Sequence, residues 1–428
     1  MLNLHSRYQD RNRTPAIIRN PLYSLALLAS LTSFQAHAES QDQTTGQPET
    51  AAESQERFRE CVAGLETKAV EAGVSAPTAN QVLAQVEHLD RVIELDRKQP
   101  EFTTTFADYL NRRVNTRRIV EGRLLLRTHD ELLQRVTRET GVPAPYLLAF
   151  WGLETNFGSY FGNMSVPSAL ATLACDPRRS RFFTTQLIAA LQIIDEGAIP
   201  VEQMEGSWAG AMGHVQFMPT VFLQHAVDAD GDGRRDLWHS LPDALMSAGK
   251  FLQSMGWDGD YRWGREVLLP ANFDYALADG ARRPLSEWRA MGLKDAFGHP
   301  LDNASIQAAL IVPSGHSGPA FLAYHNFKVI MGWNRSEFYA ISVGHLADRI
   351  AGAGGLTNPP PEDLPRLSRA TIKTLQQTLN DQGFSAGEPD GILGPSTRRA
   401  IRQFQHANNL IADGYPDQGL LENLGITL

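Results

Sequence analysis

One glutamate closes an otherwise apolar run, Pro145-Tyr-Leu-Leu-Ala-Phe-Trp-Gly-Leu-Glu154, and turn-forming residues follow it, Thr155-Asn-Phe-Gly158. Helical spacing puts Glu154 on one face with Leu147, Phe150 and Trp151. A carboxyl group among aromatic and aliphatic side chains is costly to ionise, so it can keep its proton near neutral pH. That suits a general acid acting on a glycosidic oxygen. A helix-terminal glutamate can equally turn outward to water, and its neighbours alone do not decide between the two. The stretch Ser207-Trp-Ala-Gly210-Ala-Met-Gly213-His-Val-Gln216-Phe-Met-Pro219 adds a second kind of chemistry. Gly210 and Gly213 permit close backbone approach, the apolar residues can anchor a loop, and the Gln216 amide can hydrogen-bond a sugar.

Two further clusters carry polar groups in patterns that matter. Asp228-Ala-Asp230-Gly-Asp232-Gly233-Arg-Arg-Asp236 sets carboxylates at alternate positions with a glycine at the bend, an EF-hand-like loop for a hard cation, calcium above all. It departs from the standard loop because His239, not Glu, holds the twelfth position. Asx turns without an ion would use the same residues. Trp333-Asn334-Arg-Ser336-Glu-Phe-Tyr339 joins an aromatic face to amide and phenol groups that can grip a sugar ring, although Asn or Ser here could also cap a helix. Arg112, Arg113, Arg117 and Arg118 form a basic helix face, which reads first as a solvated, ion-paired surface and second as a site for peptide carboxylates.

These groups need a scaffold, and 428 residues with 42% hydrophobic content suffice for two or three units. Acidic residues (48) outnumber basic ones (39), a net charge of -9 that gives no footprint for nucleic acid. Arg7, Arg11, Arg13 and Arg19 precede an apolar run, Leu22 to Leu31, and Ala36-His-Ala38, the order of a secretory signal over residues 1–38. The run is too short for a permanent membrane anchor, and no cysteine lies beside the cleavage site to carry a lipid. A soluble periplasmic protein is the expectation. Cys61 and Cys175, the only cysteines, favour one disulfide in an exported chain, with two buried thiols as the alternative.

Residues 39–54 have the composition of a disordered leader, and Gly352-Ala-Gly-Gly-Leu-Thr-Asn-Pro-Pro-Pro-Glu362 marks a linker, assigned to 354–365, that holds the next unit at a distance. Between them, residues 55–353 read as mostly helical. Helices are predicted over Phe58–Ala72, ending at Gly73, over Ala79–Leu95, over Phe102–Arg138 with a break near Gly122, over Leu187–Ile194 and over Ala244–Met255. Short strands are predicted within Asp260–Tyr275 and Ser305–Pro313. After the linker, Leu375-Gln-Gln-Thr-Leu379, Asp390-Gly-Ile-Leu-Gly-Pro-Ser-Thr397 and the trio Ala400, Ile401 and Phe404 make a compact helical pattern over 366–426.

Taken together, Trp151-Gly-Leu-Glu-Thr155 and Gly210-Ala-Met-Gly-His-Val-Gln-Phe-Met-Pro219 resemble the catalytic motifs of the lytic transglycosylase B family, from about Phe58 to Ala353. The C-terminal pattern resembles a small three-helix peptidoglycan-binding domain. The resemblance implies a mainly α (α+β) fold, a lysozyme-like core with a small β element, and cleavage of the MurNAc–GlcNAc β-1,4 bond of peptidoglycan. It implies no cofactor for the chemistry, a structural Ca2+, and as partners the glycan strands and other cell-wall enzymes. The family's lengthened ion loop takes a later carboxylate, so Asp228, Asp230, Asp232 and Asp243 would be side-chain ligands and Arg234 a carbonyl ligand. Ser207 and Gln216 would hold the acetamido group, and Asn334 and Tyr339 the adjacent sugars. Phe251 stands where a family tyrosine is expected, which removes a hydroxyl from that position.

No second catalytic carboxylate stands out, as a retaining or inverting hydrolase would require. The family reaction needs none: the substrate's acetamido group assists departure, and the muramic C6 hydroxyl closes a 1,6-anhydro ring. Glu154 would give a proton to the glycosidic oxygen and later take one from that hydroxyl. A water-using muramidase and a non-catalytic peptidoglycan-binding scaffold are the competing readings.

Overall fold

The computed structural model describes residues 51–97 and 104–427. The expected export signal and residues 39–50 of the expected leader lie outside the described residues. Helix α1 (Ala51–Glu71) starts inside the leader expected to run to residue 54, since Ala51, Ala52 and Glu53 are strong helix formers with the acid favourably placed in the first turn. The single helix expected over 79–95 is two, α2 (Ala76–Leu83) and α3 (Asp90–Arg97). Tertiary contact explains the break: the Glu87 and Leu89 N–H groups donate to the Ser168 and Thr172 hydroxyls at 3.2 and 3.0 Å.

Helices α4 (Phe106–Arg113), α5 (Thr116–Thr128) and α6 (Asp130–Thr140) follow. Their breaks fall at Val114–Asn115 and at His129, not near Gly122, which lies inside α5. A Cβ on Gly122 would come within 2.6 Å of Ile350 and 3.3 Å of the Phe157 ring. That glycine permits close helix packing and ends nothing. Helix α7 (Ala144–Thr155) carries Glu154. Strand β1 (Met164–Ser165) pairs antiparallel with β2 (Glu205–Gly206), and between them run α8 (Val166–Cys175) and α9 (Ser180–Asp195). Helices α10 (Pro219–His225) and α11 (Leu241–Ser254) flank the aspartate-rich loop.

A five-stranded antiparallel sheet comes next, and both predicted strand regions contribute to it. Its members are β3 (Gly264–Leu268), β4 (Arg282–Pro284), β5 (Lys294–Asp295), β6 (Gln307–Ile311) and β7 (Ala320–Ala323), in the order β4-β6-β7-β3-β5. Between β4 and β5, α12 (Leu285–Ala290) buries Trp288 in the sheet's own core. Two long elements return to the helical body, α13 (His325–Trp333) and α14 (Glu337–Ile350). One core unites α4–α7 with α11, α13 and α14; another unites α1–α3 with α8–α10 and the loop residues Met212, Val215 and Phe217. Trp333 packs against both cores. Cys61 and Cys175 are joined, fastening α1 to the end of α8 with their Cα atoms 6.0 Å apart.

The C-terminal helices α15 (Arg369–Asp381), α16 (Pro395–Ala407) and α17 (Gln418–Asn423) enclose a separate apolar centre around Leu375, Ile401 and Phe404. The linker does not hold this unit at a distance. Glu266 accepts the N–H groups of Thr357 and Asn358 at 2.9 and 2.8 Å, and Arg366 pairs with Asp108 at 2.8 Å. Asp413, itself buried, then receives both the backbone N–H and Nδ1 of His316, at 2.8 and 2.7 Å, and this pair of hydrogen bonds docks the unit on the body. Glycine and proline composition signals the absence of helix, but not whether polar backbone groups find partners on a neighbouring surface.

Candidate active site

Helix α7 is apolar on all sides, not along one face. From Tyr146 to Thr155 every residue is buried except Glu154, which is half-buried. The helix opens on Pro143-Ala144-Pro145 and stops where Asn156, Phe157 and Gly158 take φ values of 50°, 59° and 78°. Left-handed backbone is costly for a residue as bulky as Phe157, so packing must hold it there. The Phe157 ring fills the space a Cβ on Gly152 would occupy, 2.7 Å from its ideal position. The chain thus turns away immediately after Glu154, leaving its carboxyl at the helix end.

Two ring donors meet that carboxyl on one oxygen. Trp333 Nε1 donates to Glu154 Oε1 at 2.9 Å, and the Tyr339 hydroxyl donates to the same atom. Burial, then the Glu154 charge and the hydrogen bond to it, push the Tyr339 phenol well above its ordinary pKa, so it remains a donor. Tyr339 is 3% exposed, and its hydroxyl is spent on Glu154. Its hydroxyl therefore faces the acid. Trp333 was read in the sequence only as part of an aromatic face. The structure gives it the more direct contact, and its side chain stacks among Phe150, Phe217 and Phe251 with ring centroids 4.5, 5.5 and 5.3 Å away.

The glycine-rich loop is pinned to the same helix. Trp151 Nε1 donates to His214 Nδ1 at 2.9 Å, and the Thr155 hydroxyl donates to the His214 carbonyl at 2.9 Å. Burial lowers the His214 pKa to about 4, so the ring is neutral and accepts at Nδ1. A Cβ on Gly213 would lie 2.4 Å from the Leu237 carbonyl oxygen, and one on Gly210 would lie 2.4 Å from Leu170. Both glycines have positive φ, as the turns require. Met212 and Phe217 exchange backbone hydrogen bonds at 2.9 and 3.0 Å, which presents Gln216 at the tip.

The predicted contact residues take different places. The Ser207 hydroxyl accepts the Ala211 N–H at 3.0 Å and closes the loop. Gln216 Nε2 donates to the carbonyls of Phe161 and Gly213 at 3.0 and 3.1 Å, while its Oε1 accepts nothing among the described residues. Asn334 ends α13 and its Oδ1 accepts the Ser336 N–H at 3.1 Å, next to Trp333. Phe251 has no hydroxyl to offer and instead packs on Trp333, Phe217 and His225. The arginine face caps helix ends: Arg113 donates to the Leu153 carbonyl at 3.3 Å and Arg118 to the Arg113 carbonyl at 2.6 Å. His214 and Thr155 lay inside the quoted motifs, but only their long-range partners reveal what they do.

In the aspartate loop, carboxylate oxygens of Asp228, Asp230 and Asp232 lie within 4.8 Å of one another and are exposed. Asp243 is not among them. It is fully buried at the first turn of α11, where its oxygens accept the N–H groups of Ala229 and Asp236 at 2.7 and 2.8 Å. Those hydrogen bonds tie the loop's backbone to α11. Arg234 is held by its N–H on Asp232 Oδ1 at 2.8 Å. This loop also supports the glycine-rich one, because the Leu237 carbonyl accepts the His214 N–H at 2.8 Å.

Residues 57–348 match the family described as Transglycosylase SLT domain, and residues 368–424 match a putative peptidoglycan binding domain. The membrane-bound lytic murein transglycosylase B of Escherichia coli (strain K12) is 29% identical over 293 residues, 65% of this chain and 79% of that protein. SltB3 from Pseudomonas aeruginosa, solved in complex with NAG-NAM-pentapeptide, is 43% identical with a TM-score of 0.83, covering 86% of this chain and 99% of that one. The Escherichia coli lytic transglycosylase Slt35 in complex with calcium is 27% identical with a TM-score of 0.58, covering 69% of this chain and 92% of that one.

Proposed function

The chain belongs to the SLT-domain transglycosylases, and from that premise we propose that it cleaves the MurNAc–GlcNAc β-1,4 bond of peptidoglycan with Glu154 as its only acid and base. The supporting observation is the double donation of Trp333 and Tyr339 to Glu154 Oε1. An oxygen that accepts from two fixed donors leaves the transferable proton to Oε2, which sets its direction of attack. Glu154 gives that proton to the glycosidic oxygen as the C1–O bond breaks, and the substrate's acetamido oxygen stabilises C1. The muramic C6 hydroxyl then attacks C1 and returns its proton to Glu154, so no water is consumed. Gln216 Oε1 accepts from the acetamido N–H, and Ser207 and Asn334 line the approach. Tyr339 and Trp333 orient the acid.

Calcium, where bound, would be held by Asp228, Asp230 and Asp232 and would neutralise their charge, stiffening the loop behind His214. The domain at 366–426 retains the enzyme on the wall, with 354–365 as its connection. The N-terminal basic and apolar segments support export to the periplasm, and no described helix is long and apolar enough to cross a membrane. Mass analysis of the released muropeptides tests the reaction: anhydro-muramic ends are expected, and reducing ends alone would establish a hydrolytic muramidase instead. Glu154→Gln removes the titratable proton with little change of shape and should abolish clearing of sacculi. Parent-like clearing by that variant would remove Glu154 from the mechanism.

A further inference from the structure

Helix α7 ends in a turn that leaves one of its last carbonyls without a backbone donor. The Asn156 and Phe157 N–H groups both go to the Trp151 carbonyl, and the Gly158 N–H goes to the Thr155 hydroxyl. The Leu153 carbonyl, on the residue just before the acid, therefore depends on a side chain. Arg113, the last residue of α4, supplies the hydrogen from Nη1 at 3.3 Å. A helix terminus packed among apolar residues needs such a partner.

A neutral donor would satisfy that carbonyl, but Arg113 brings a charge as well. Its place is fixed from two sides: the guanidinium lies 5.4 Å from the centre of the Tyr109 ring, and the Arg113 carbonyl accepts Arg118 Nη1 at 2.6 Å. Among the described residues no carboxylate forms an ion pair with Arg113. The titratable and charged groups around this joint are Tyr109 of α4, Arg118 of α5, Glu154 of α7 and Tyr339 of α14. Arg118, the second cation, spends Nη1 on the Arg112 and Arg113 carbonyls. Burial first, then Glu154 and Tyr109, push the Tyr339 phenol upward, and the Arg113 charge acts the other way, so the guanidinium is felt where Tyr339 meets Glu154. Partial burial and the negative end of α7 both oppose a carboxylate at Glu154. Proton transfer to the substrate creates that carboxylate. A fixed cation on the preceding carbonyl stabilises it as it forms.

We propose that Arg113 is a positioning residue of the reaction, which holds the end of α7 and stabilises the Glu154 carboxylate formed when the glycosidic oxygen takes its proton. The inference rests on the reading of Glu154 as the acid. Arg113→Gln keeps a donor for the Leu153 carbonyl and removes the charge. Its kcat on purified glycan strands should fall about three- to tenfold at unchanged KM, and the alkaline limb of its rate profile should move up by about half to one pH unit, the scale of one charge at a partly buried site. The limb moves up because the acid form then persists to higher pH. Arg113→Lys keeps the charge and should keep the parent's limb. If the Gln variant does not fold, Arg113→Met, which retains the apolar stem over Tyr109, takes its place in the same measurement. A folded neutral variant with the parent's limb, or a Lys variant whose limb moves as far as the neutral one's, would overturn the assignment. If Glu154→Gln is inactive while the neutral Arg113 variant keeps the parent's profile, only this inference falls; if Glu154→Gln clears sacculi like the parent, the reading of Glu154 as the acid falls.

Discussion

His214 joins the glycine-rich loop to the helix that carries Glu154, and it does so only as a neutral ring. Protonation would place a hydrogen on Nδ1, the atom that accepts from Trp151 Nε1. Burial lowers its pKa from 6.5 to about 4, so between those values the unfolded chain binds a proton that the folded chain refuses. The contribution is complete above pH 6.5 and is lost as pH falls toward 4. The difference corresponds to about 3 kcal/mol at full burial, and to about 2 kcal/mol once the solvent reaching part of the ring is allowed for. His214→Gln keeps a side-chain acceptor for Trp151 and does not titrate. Urea unfolding of parent and variant at several pH values isolates this group, because every other titration cancels in the difference. The stability gap should move by about 2 kcal/mol in favour of the variant between pH 7 and pH 4. A gap constant to within about 0.5 kcal/mol over that range would refute the neutral-clamp reasoning.

Other outcomes follow from the same contacts. Tyr339→Phe and Trp333→Phe each delete one donor to Glu154 Oε1; charge-assisted bonds of about 1.5–3 kcal/mol predict that the alkaline limb of the rate profile moves up by roughly one to two pH units in each, and an unmoved limb counts against an orienting role. Calcium at about a hundred times its dissociation constant should raise stability by about 2.7 kcal/mol, while Asp230→Asn with Asp232→Asn should abolish the gain; an equal gain in the variant would place the ion elsewhere. Replacing Cys61 and Cys175 by serine opens a link between residues 114 apart and should lower unfolding stability by about 4 to 5 kcal/mol, read by denaturant titration under non-reducing conditions.

Much of the site was legible because its determinants are local. The apolar run around Glu154 encodes a buried helix, and the turn residues that follow it encode its end. Gly210 and Gly213 announce left-handed backbone whatever surrounds them. The strands at β3 and β6 were visible as short apolar runs between breakers. The helix break misplaced at Gly122 shows the limit of that reasoning, since glycine there answers to Ile350, far along the chain.

What sequence alone determined, then, was the kind of chemistry: a carboxyl at the end of an apolar helix, a glycine-shaped loop carrying one side-chain amide, and a run of carboxylates suited to a hard cation. Tertiary structure decided which groups meet. The donors to Glu154 come from 179 and 185 residues away, and no periodicity could say that Trp333 and Tyr339 share one oxygen. Nor could ligand spacing reveal that Asp243 is buried under its loop, or linker composition that Asp413 would find His316. Helices and turns follow from each residue's own backbone preferences, whereas a polar group's partner is chosen only when every element packs and each buried donor must find an acceptor.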